Sequence, residues 1–487
     1  MMFIKFFLTT FLMEIAMATN KVPTVGYFPK SFPRDPVETN IYLEHLLLGQ
    51  ILKPIVEVGN DGSIQPGVAD KWIVKDNGQT IEFKIASNAK FSTGKKITST
   101  DVIYSIDRHM NSSSSQAKSY LENIKEMQII DNQSFIIKLS RPYPAIFKAL
   151  SRDQLGILPK DWKFDAQSNE PIIGSGAYRA IKQQNGKWQL IKNEHSSEFN
   201  TTEISKWNIL ISSGDLIADM QSEIPDFIPI LLSNQIAELE TKVNLSNLRK
   251  IKAVQFAQSL GWWYPNENVD ISTEERRQLG MQMYREIVSS ILDKHPMRSG
   301  TGVFPSGIPG YIDKTPDISR LKNLNTANRK FKFLAVGVDG ALIKSSEKIN
   351  SIAKKYNAEI EVIEIPIIRL KEIASIKPDM IIITYAGGFQ DPEGFLTVIT
   401  AFLNTDLKKV FGINLYELYI QASQELDWAK RADVYKELNK KLIMDYRVYP
   451  GWRWEGFRYC SSLLAPNNQD LSYTTKLKDI KLNKEDL

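Results

Sequence analysis

The chain has 487 residues, of which 43% are hydrophobic and 24% are charged, and its formal net charge is +5. A chain of this length is too large for one hydrophobic core, so we expect two or three domains. The small positive charge is spread over the whole sequence, which excludes a clustered basic face for a nucleic acid. The single cysteine, Cys460, excludes an intrachain disulfide and a cysteine-based zinc site, and it is predicted to be a buried apolar residue.

The first segment of the chain has the pattern of a secretory signal peptide, which we place at residues 1–18. Lys5 supplies the positive charge, residues 6–13 form the apolar stretch, and Ala16-Met17-Ala18 matches the small-residue cleavage pattern. The apolar stretch is much shorter than the roughly 20 residues that a membrane-spanning helix needs. The sequence therefore predicts export to the periplasm, with a mature protein that starts near Thr19.

A tight turn between two strands, followed by a helix, is predicted next. Trp72-Ile73-Val74 is typical of a short strand, and Asp76-Asn77-Gly78 is typical of a turn. Residues 81–85 alternate between apolar and polar, which is the pattern of a half-buried strand. Ser99 or Thr100 is predicted to cap the helix that follows.

Two hairpins are predicted further along the chain. Residues 127–139 alternate around Asp131-Asn132, and residues 179–191 contain Asn185-Gly186, a common hairpin turn. Gly174-Ser175-Gly176 precedes the second hairpin, but no lysine followed by serine or threonine completes a phosphate-binding loop there. We therefore assign these glycines a structural role.

Strands and helices alternate from residue 331 onward. The predicted order is strand, helix, strand, helix and strand, at residues 331–338, 344–356, 359–365, 367–376 and 380–385. This order predicts parallel strands joined by crossover helices. Two further helices flank the region, one opened by a capping box from Ser272 to Glu275 and one capped by Asp427.

The sequence lacks the common motifs of catalysis and metal binding. None of the four histidines lies four residues from another, so the metalloprotease helix is missing, and no G-x-S-x-G elbow occurs. We therefore predict no catalytic residue, no metal site and no cofactor. Carboxylates are numerous enough for a paired-acid mechanism, so an exported hydrolase on an α/β scaffold is kept as the alternative to a binding protein.

Several segments closely resemble a known family. They are Pro66-Gly67-Val68-Ala69-Asp70-Lys71-Trp72, Phe83-Lys84-Ile85, Lys90-Phe91-Ser92-Thr93-Gly94 and residues 98–108. Together they resemble the N-terminal signature of the solute-binding proteins of ABC importers, in the oligopeptide, dipeptide and nickel class. Segments 174–178, 304–309 and 427–442 extend the resemblance over almost the whole mature chain.

The resemblance implies an α/β fold with two lobes joined by a hinge, the class II, three-subdomain fold of periplasmic binding proteins. Lobe one would have a core subdomain and an inserted subdomain, followed by lobe two. The expected bounds are 19–45, 166–258 and 460–487 for the core subdomain, 46–165 for the inserted subdomain, and 259–459 for lobe two.

The function implied by the resemblance is capture of a solute, with no chemistry performed. The protein would enclose a peptide-like or other small organic ligand in the cleft between its lobes and deliver it to an ABC permease in the inner membrane. A monomer without enzymatic activity, cofactor or nucleic-acid partner is expected. A role in sensing or chaperoning is not separated from transport by the sequence.

The first predicted ligand-binding segment contains Trp262, Trp263, Tyr264 and Asn266, which match the family segment where the chain enters lobe two beside the cleft. Aromatic side chains with polar edges suit a ligand pocket. Because neighbours on a strand face opposite ways, we expect about one of the two indoles to line the pocket and the other to enter the core.

The second predicted segment contains Gly388, Phe389 and Asp391, and Trp452 is added from a later strand. In peptide-binding members of the family, an aspartate at the position of Gly388 clasps the α-ammonium of the peptide. A buried ammonium without a carboxylate partner loses roughly several kcal/mol. This departure makes a free-amino peptide a weaker prediction, and it leaves open a modified peptide, a saccharide or another small organic molecule.

Overall fold

The computed structural model contains two α/β lobes, and the structure describes most of the chain. The described residues are 21–28, 35–39, 42–59, 62–163, 165, 172–252, 257–264, 273–292, 298–318, 329–336, 342, 345–366, 372–385, 391–403, 405–465 and 476–483. The predicted signal peptide at residues 1–18 lies outside this set. None of the described helices combines the length and the apolar character needed to cross a membrane.

The first lobe is built on a seven-stranded sheet with the order β12-β19-β11-β1-β10-β9-β8. Its strands are β1 (Thr24–Phe28), β8 (Tyr178–Lys182), β9 (Trp188–Lys192), β10 (Lys206–Ile211), β11 (Phe227–Leu232), β12 (Leu248–Lys252) and β19 (Gly456–Ser461). Helices α1 (Tyr42–Ile51), α5 (Leu216–Ser222) and α6 (Ser233–Lys242) and the short strands β20 (Leu464–Ala465) and β21 (Lys481–Leu482) complete it. In the centre, β1 runs parallel to both β10 and β11. The predicted hairpin with the Asn185-Gly186 turn is confirmed as β8 and β9.

An inserted subdomain interrupts the first lobe and has an antiparallel sheet with the order β4-β5-β7-β6. Its elements are β2 (Val56–Val58), β3 (Ile64–Pro66), β4 (Ala69–Lys75), β5 (Thr80–Ile85), α2 (Ser99–Asn111), α3 (Lys118–Leu121), β6 (Ile124–Ile129), β7 (Ser134–Leu139) and α4 (Ile146–Leu150). The cap of α2 is Thr98 rather than Ser99 or Thr100, because Asp101 completes a capping box with Thr98. The two predicted turns, at Asp76 and at Asp131, are confirmed between the paired strands.

The second lobe is built on a six-stranded sheet with the order β14-β18-β13-β17-β15-β16. Its strands are β13 (Ala257–Trp263), β14 (Arg298–Ser299), β15 (Arg329–Val336), β16 (Ala358–Ile365), β17 (Met380–Tyr385) and β18 (Val448–Trp454). Its helices are α7 (Thr273–Leu292), α8 (Ser346–Lys355), α9 (Ile373–Ile376), α10 (Pro392–Leu403), α11 (Leu407–Phe411), α12 (Ile413–Gln424) and α13 (Trp428–Met444). The parallel pairing of β15 with β16 and β17 confirms the predicted crossover arrangement.

The chain passes between the two large sheets twice. The first passage joins β12 to β13 and the second joins β18 to β19, with Glu455 between the last two strands. An ion pair of 2.7 Å joins Lys252 Nζ to Glu455 Oε1 where the two passages meet. Because β19 pairs with both β11 and β12, residues 456–459 lie in the sheet of the first lobe and not in the second lobe, where the sequence places them.

Packing in the first lobe confirms the prediction for the single cysteine. Cys460 lies on β19 with no exposed surface, within the core that also contains Val25 and Trp207. Burial raises the pKa of the thiol to about 11, which keeps it in the unreactive protonated form. The residue therefore packs as a small apolar side chain.

Candidate functional site

The carboxyl ends of the parallel strands in both lobes lie at the edge where the chain crosses between them. In the first lobe, Leu232 at the end of β11 pairs with Gly456, the first residue after the second passage. In the second lobe, Tyr385 at the end of β17 pairs with Gln258 near the start of β13. Open α/β sheets bind ligands outside the carboxyl ends of their strands. The crevice between these two edges is therefore the candidate binding site.

Two buried polar side chains lie at this edge of the second lobe. Gln258 on β13 pairs with Arg453 on β18, and the two are 2% and 4% exposed. The Gln258 amide donates to the carbonyl oxygen of Val303, while its own oxygen, Oε1, accepts no hydrogen bond from the described residues. Arg453 donates to the hydroxyl of Thr301, and burial lowers its pKa. The edge therefore offers a desolvated amide oxygen as an acceptor.

Sequence reasoning missed Gln258 and Arg453. Each lies at the end of its strand where the chain passes between the lobes, and only the strand register reveals this position. A glutamine before an apolar run has no local pattern that would single it out. The signal that would have found it is the start of β13 at Ala257, five residues before Trp262.

Trp262 and Trp263 face opposite sides of the sheet, as the alternation of strand neighbours requires. Trp262 stacks on Phe411 with ring centroids 6.2 Å apart, in the core beneath α10 to α13. Trp263 lies in the core beneath α7 and α8, where a β-carbon added at Gly280 would come within 2.6 Å of its ring. Helices cover both faces of this sheet, so both indoles are almost fully buried.

Tyr264 directly follows β13, at the end of that strand remote from the passage between the lobes. Its backbone N–H donates to the carbonyl oxygen of Asp379, just before β17 begins, at 2.9 Å. The strand from Ala257 to Trp263 carries the chain about 20 Å away from the passage between the lobes. The sequence places this segment beside the cleft, and the difference arises because β13 begins well before the tryptophans. Asn266 lies outside the described residues, and ligand contact by this segment stays a prediction.

Asp391 holds the beginning of α10, directly after the segment that contains Gly388 and Phe389. Those two residues lie outside the described part of the chain. The Asp391 carboxylate accepts the backbone N–H of Glu393 at 3.0 Å and receives two hydrogen bonds of 2.7 Å from Arg431. Both charged side chains are fully buried. Asp391 therefore fixes the point at which the predicted ligand segment joins the helix, and direct contact with a ligand stays a prediction.

Trp452, the remaining predicted residue, is fully buried in the core beneath α7 and α8. It lies on β18, one residue before Arg453 and therefore on the other face of the sheet. Its backbone pairs with Ser299 of β14. The indole therefore packs in the core beneath the end of the sheet at which the chain crosses between the lobes.

A cavity of about 680 Å³ opens at the opposite edge of the second lobe. Arg276 forms two hydrogen bonds with Asp379, at 2.7 and 2.8 Å, and its guanidinium lies 4.3 Å from the ring centre of Phe331. These contacts neutralise the buried charge of Arg276 within the protein.

Among the described residues, no group of three or more histidine, cysteine or acidic side chains is placed to hold a metal ion.

The family model of the bacterial extracellular solute-binding proteins, family 5 Middle, matches residues 63–329. This is more than half of the chain. The chain belongs to the bacterial extracellular solute-binding proteins of family 5. Membership confirms the resemblance that the signature segments of the sequence indicate.

Relatives of known function match shorter parts of this family 5 protein. The periplasmic oligopeptide-binding protein OppA of Salmonella typhimurium is 30% identical in an alignment of 141 residues, and the match covers 24% of this chain. The matched part spans about a quarter of OppA, 26% of its length.

Solved structures resemble the chain over nearly its full length. The murein tripeptide binding protein MppA of Escherichia coli superposes with a TM-score of 0.73 at 16% identity, covering 95% of this chain and 99% of MppA. The binding protein AgaA of A. tumefaciens R10, solved with agropinic acid, gives 0.73 at 15% identity, with 95% and 99% covered. At these identities the likeness concerns the fold, and it confirms the two-lobed periplasmic binding protein fold.

Proposed function

We propose that this protein is the substrate-binding component of an ABC importer. It captures a solute in the crevice between its lobes, closes around it, and delivers it to a permease in the inner membrane. Family membership supports this function, and the relatives named above are binding proteins. One observation carries the proposal: the carboxyl ends of the parallel strands of both sheets lie where the chain passes between the lobes. We further propose that it is exported to the periplasm and acts there as a monomer.

The proposed division of the chain follows the passages between the sheets. Lobe one consists of the core subdomain and the inserted subdomain, and lobe two runs from the start of β13 at Ala257 to the end of β18 at Trp454. These bounds adjust the expected limits at 258 and 459 by a few residues. The monomer is proposed because a single chain contains both edges of the crevice.

The proposed ligand is peptide-like or another small organic solute. The name of OppA points to oligopeptides and that of MppA to murein tripeptide, whereas AgaA was solved with agropinic acid. Gly388 stands where peptide-binding members have a carboxylate, so a positively charged terminus has no partner at that position. The amide oxygen of Gln258 instead suits a neutral N–H or O–H donor of the ligand. We propose that this atom and the segment with Gly388 and Phe389 contact the ligand.

The hydrolase alternative lacks support. The relatives named above are binding proteins. A buried carboxylate pair does exist, Asp391 and Glu393, but both side chains are fully enclosed by protein. A paired-acid hydrolase needs both carboxyl groups beside its substrate.

A thermal-shift screen of the chain starting at Thr19 tests the proposal. The protein is first unfolded and refolded to remove any carried-over solute, and each peptide is then tested in a free-amino and an N-acetylated form. A ligand at a hundred times its dissociation constant stabilises the folded state by about 2.7 kcal/mol. We expect the acetylated form to shift the melting temperature at least as much as the free form. Hydrolysis that depends on a carboxylate, with no shift by any compound, would overturn the proposal.

A further inference from the structure

The inserted subdomain touches the second lobe at a place remote from the two passages of the chain. Arg141, just after β7, donates to the hydroxyl of Ser423 on α12. The side chain of Leu426 lies against the turn at Gly78, where an added β-carbon would be 3.0 Å from it. Helix α3 of the inserted subdomain also packs on α10 of the second lobe. The two lobes therefore share an interface that the chain connection does not enforce.

Beneath this interface, the second lobe buries two carboxylates and one matching cation of its own. Asp391 is paired with Arg431, as described above. Glu393 has no exposed surface and accepts hydrogen bonds from the hydroxyl groups of Tyr419, at 2.9 Å, and Tyr435. Burial and the nearby Asp391 both raise the pKa of Glu393. Tyrosine hydroxyls stabilise a carboxylate, but they bring no positive charge.

The inserted subdomain places two further cations near these carboxylates: Arg141 at Ser423 on α12, and Lys148 at the ring of Trp428, which Arg431 also contacts. Arg141 favours the ionised form of Glu393 and so opposes the effect of burial on its pKa. Lys148 is 8% exposed, and its ammonium lies 5.4 Å from the ring centre of Trp428 on α13. Burial lowers the pKa of Lys148, and Asp391 counters this effect. Contact between the lobes therefore completes the charge balance of the buried acid pair.

We propose that Arg141 and Lys148 form a latch that holds the inserted subdomain against the second lobe through the buried pair Asp391 and Glu393. Separation of the lobes removes both cations and leaves two carboxylates facing one arginine. The closed arrangement is thus favoured by contacts within the protein, whether or not a solute is bound. This inference rests on the proposed capture function only in that opening and closing of the lobes is the motion involved.

The latch includes the residue that follows the predicted ligand segment in the sequence. Asp391 directly follows residues 386–390, which include Gly388 and Phe389. Opening of the lobes weakens the electrostatic support of the residue at which this segment ends. Closure of the lobes and the electrostatic environment of Asp391 are therefore linked.

Distances between spin labels in the ligand-free protein test the latch. Exposed sites are available on β4 and on α13, so Lys71→Cys and Lys436→Cys are labelled in a Cys460→Ser background and measured by double electron–electron resonance. Arg141→Gln is expected to raise the population of the longer distance roughly tenfold, which corresponds to about 1.4 kcal/mol. Lys138→Gln is the matched control, because Lys138 lies on β7 of the same subdomain and pairs with Glu126.

A double-mutant cycle separates the latch from a general loss of structure. Ser423→Ala removes the acceptor on the second lobe, and its effect should not add fully to that of Arg141→Gln, since both remove one contact. Arg141→Lys keeps the charge and should restore most of the short distance. Identical distance distributions for Arg141→Gln and Lys138→Gln, or full additivity in the cycle, would overturn the proposal. The distances need no ligand, so they decide the matter even if no transported solute is found.

Discussion

Arg431 donates one hydrogen bond to each carboxylate oxygen of Asp391, at 2.7 Å, and neither side chain reaches solvent. The two residues are 40 positions apart and join the beginning of α10 to α13. A fully desolvated pair of this kind is stable only while both partners are present, because either charge alone is strongly unfavourable in the interior.

Replacing Asp391 by asparagine should therefore destabilise the protein strongly. The variant leaves the guanidinium of Arg431 buried without its carboxylate, and a loss of about 3–5 kcal/mol in the free energy of unfolding is expected. Urea unfolding followed by tryptophan fluorescence measures it. Glu437→Gln on α13, the helix that carries Arg431, is the control. Its ion pair with Lys441 is exposed and should contribute under about 1 kcal/mol. Equal losses for the two variants would contradict the structural role given to Asp391.

Gln258 and Tyr264 lie at opposite ends of β13, so they separate two positions for the ligand. If the crevice at the crossing edge binds the solute, Gln258→Leu should weaken affinity about tenfold through loss of one buried hydrogen bond. Tyr264→Phe should then leave the dissociation constant unchanged, and isothermal titration with a ligand found by the screen measures both. The reverse result would support the segment predicted from sequence and reject the crossing edge.

The histidine His109 should make the protein sensitive to acid. Its imidazole is buried, with Nδ1 2.7 Å from the hydroxyl oxygen of Ser115, and burial together with Arg108 lowers its pKa to about 3. The unfolded chain takes up this proton near pH 6.5, so stability is lost as the pH falls from there towards 3. The expected slope from this residue is about 1.4 kcal/mol per pH unit.

His109→Asn removes this titration and can keep the hydrogen bond to Ser115. Unfolding free energies measured between pH 6 and 4 should fall less steeply for the variant than for the parent protein. His45 contributes a separate slope, because burial and the nearby Arg152 also lower its pKa. Above pH 7.5 the two proteins should have parallel profiles, which provides the internal control. Parallel profiles at acid pH as well would mean that His109 does not titrate as the structure requires.

Lys476 should be important for anchoring the C-terminal segment. Its ammonium lies 2.8 Å from Asp153 Oδ1 and 3.2 Å from the carbonyl oxygen of Gly49, and Asp153 is almost fully buried. Lys476→Met leaves that carboxylate without its cation, and a loss of about 1–3 kcal/mol in unfolding free energy is expected. Lys250→Met, at the exposed pair with Glu240, serves as the comparison and should have a much smaller effect.

The sequence predicted the fold well where neighbouring residues determine the structure. Asn185-Gly186 lies in the turn that it predicts, and Asp427 caps α13 by accepting from Ala429 and Lys430. The sequence predicts the cap of α2 one or two residues late, at Ser99 or Thr100. Thr98 is the cap because its hydroxyl and backbone N–H donate to Asp101. Family membership followed from a run of local motifs.

The candidate site is harder to predict from the sequence, because it depends on strand register and on contacts between residues far apart in the chain. Nothing near Trp262 indicates that β13 has already run five residues from the crossing edge. Nothing near Asp391 indicates that Arg431, on another helix, will neutralise it. Both facts arise only when strands and helices far apart in sequence come together.

The position of β19 has a consequence for the order in which the protein folds. This strand lies between β11 and β12 inside the first sheet, yet it comes from residues 456–461, near the end of the chain. The first lobe therefore cannot complete its sheet until β19 is available, whereas the inserted subdomain, from β2 to α4, is continuous in sequence and can fold earlier. Pairing over such sequence distances is slow. We expect the sheet of the first lobe to form later than the inserted subdomain, because it must wait for β19.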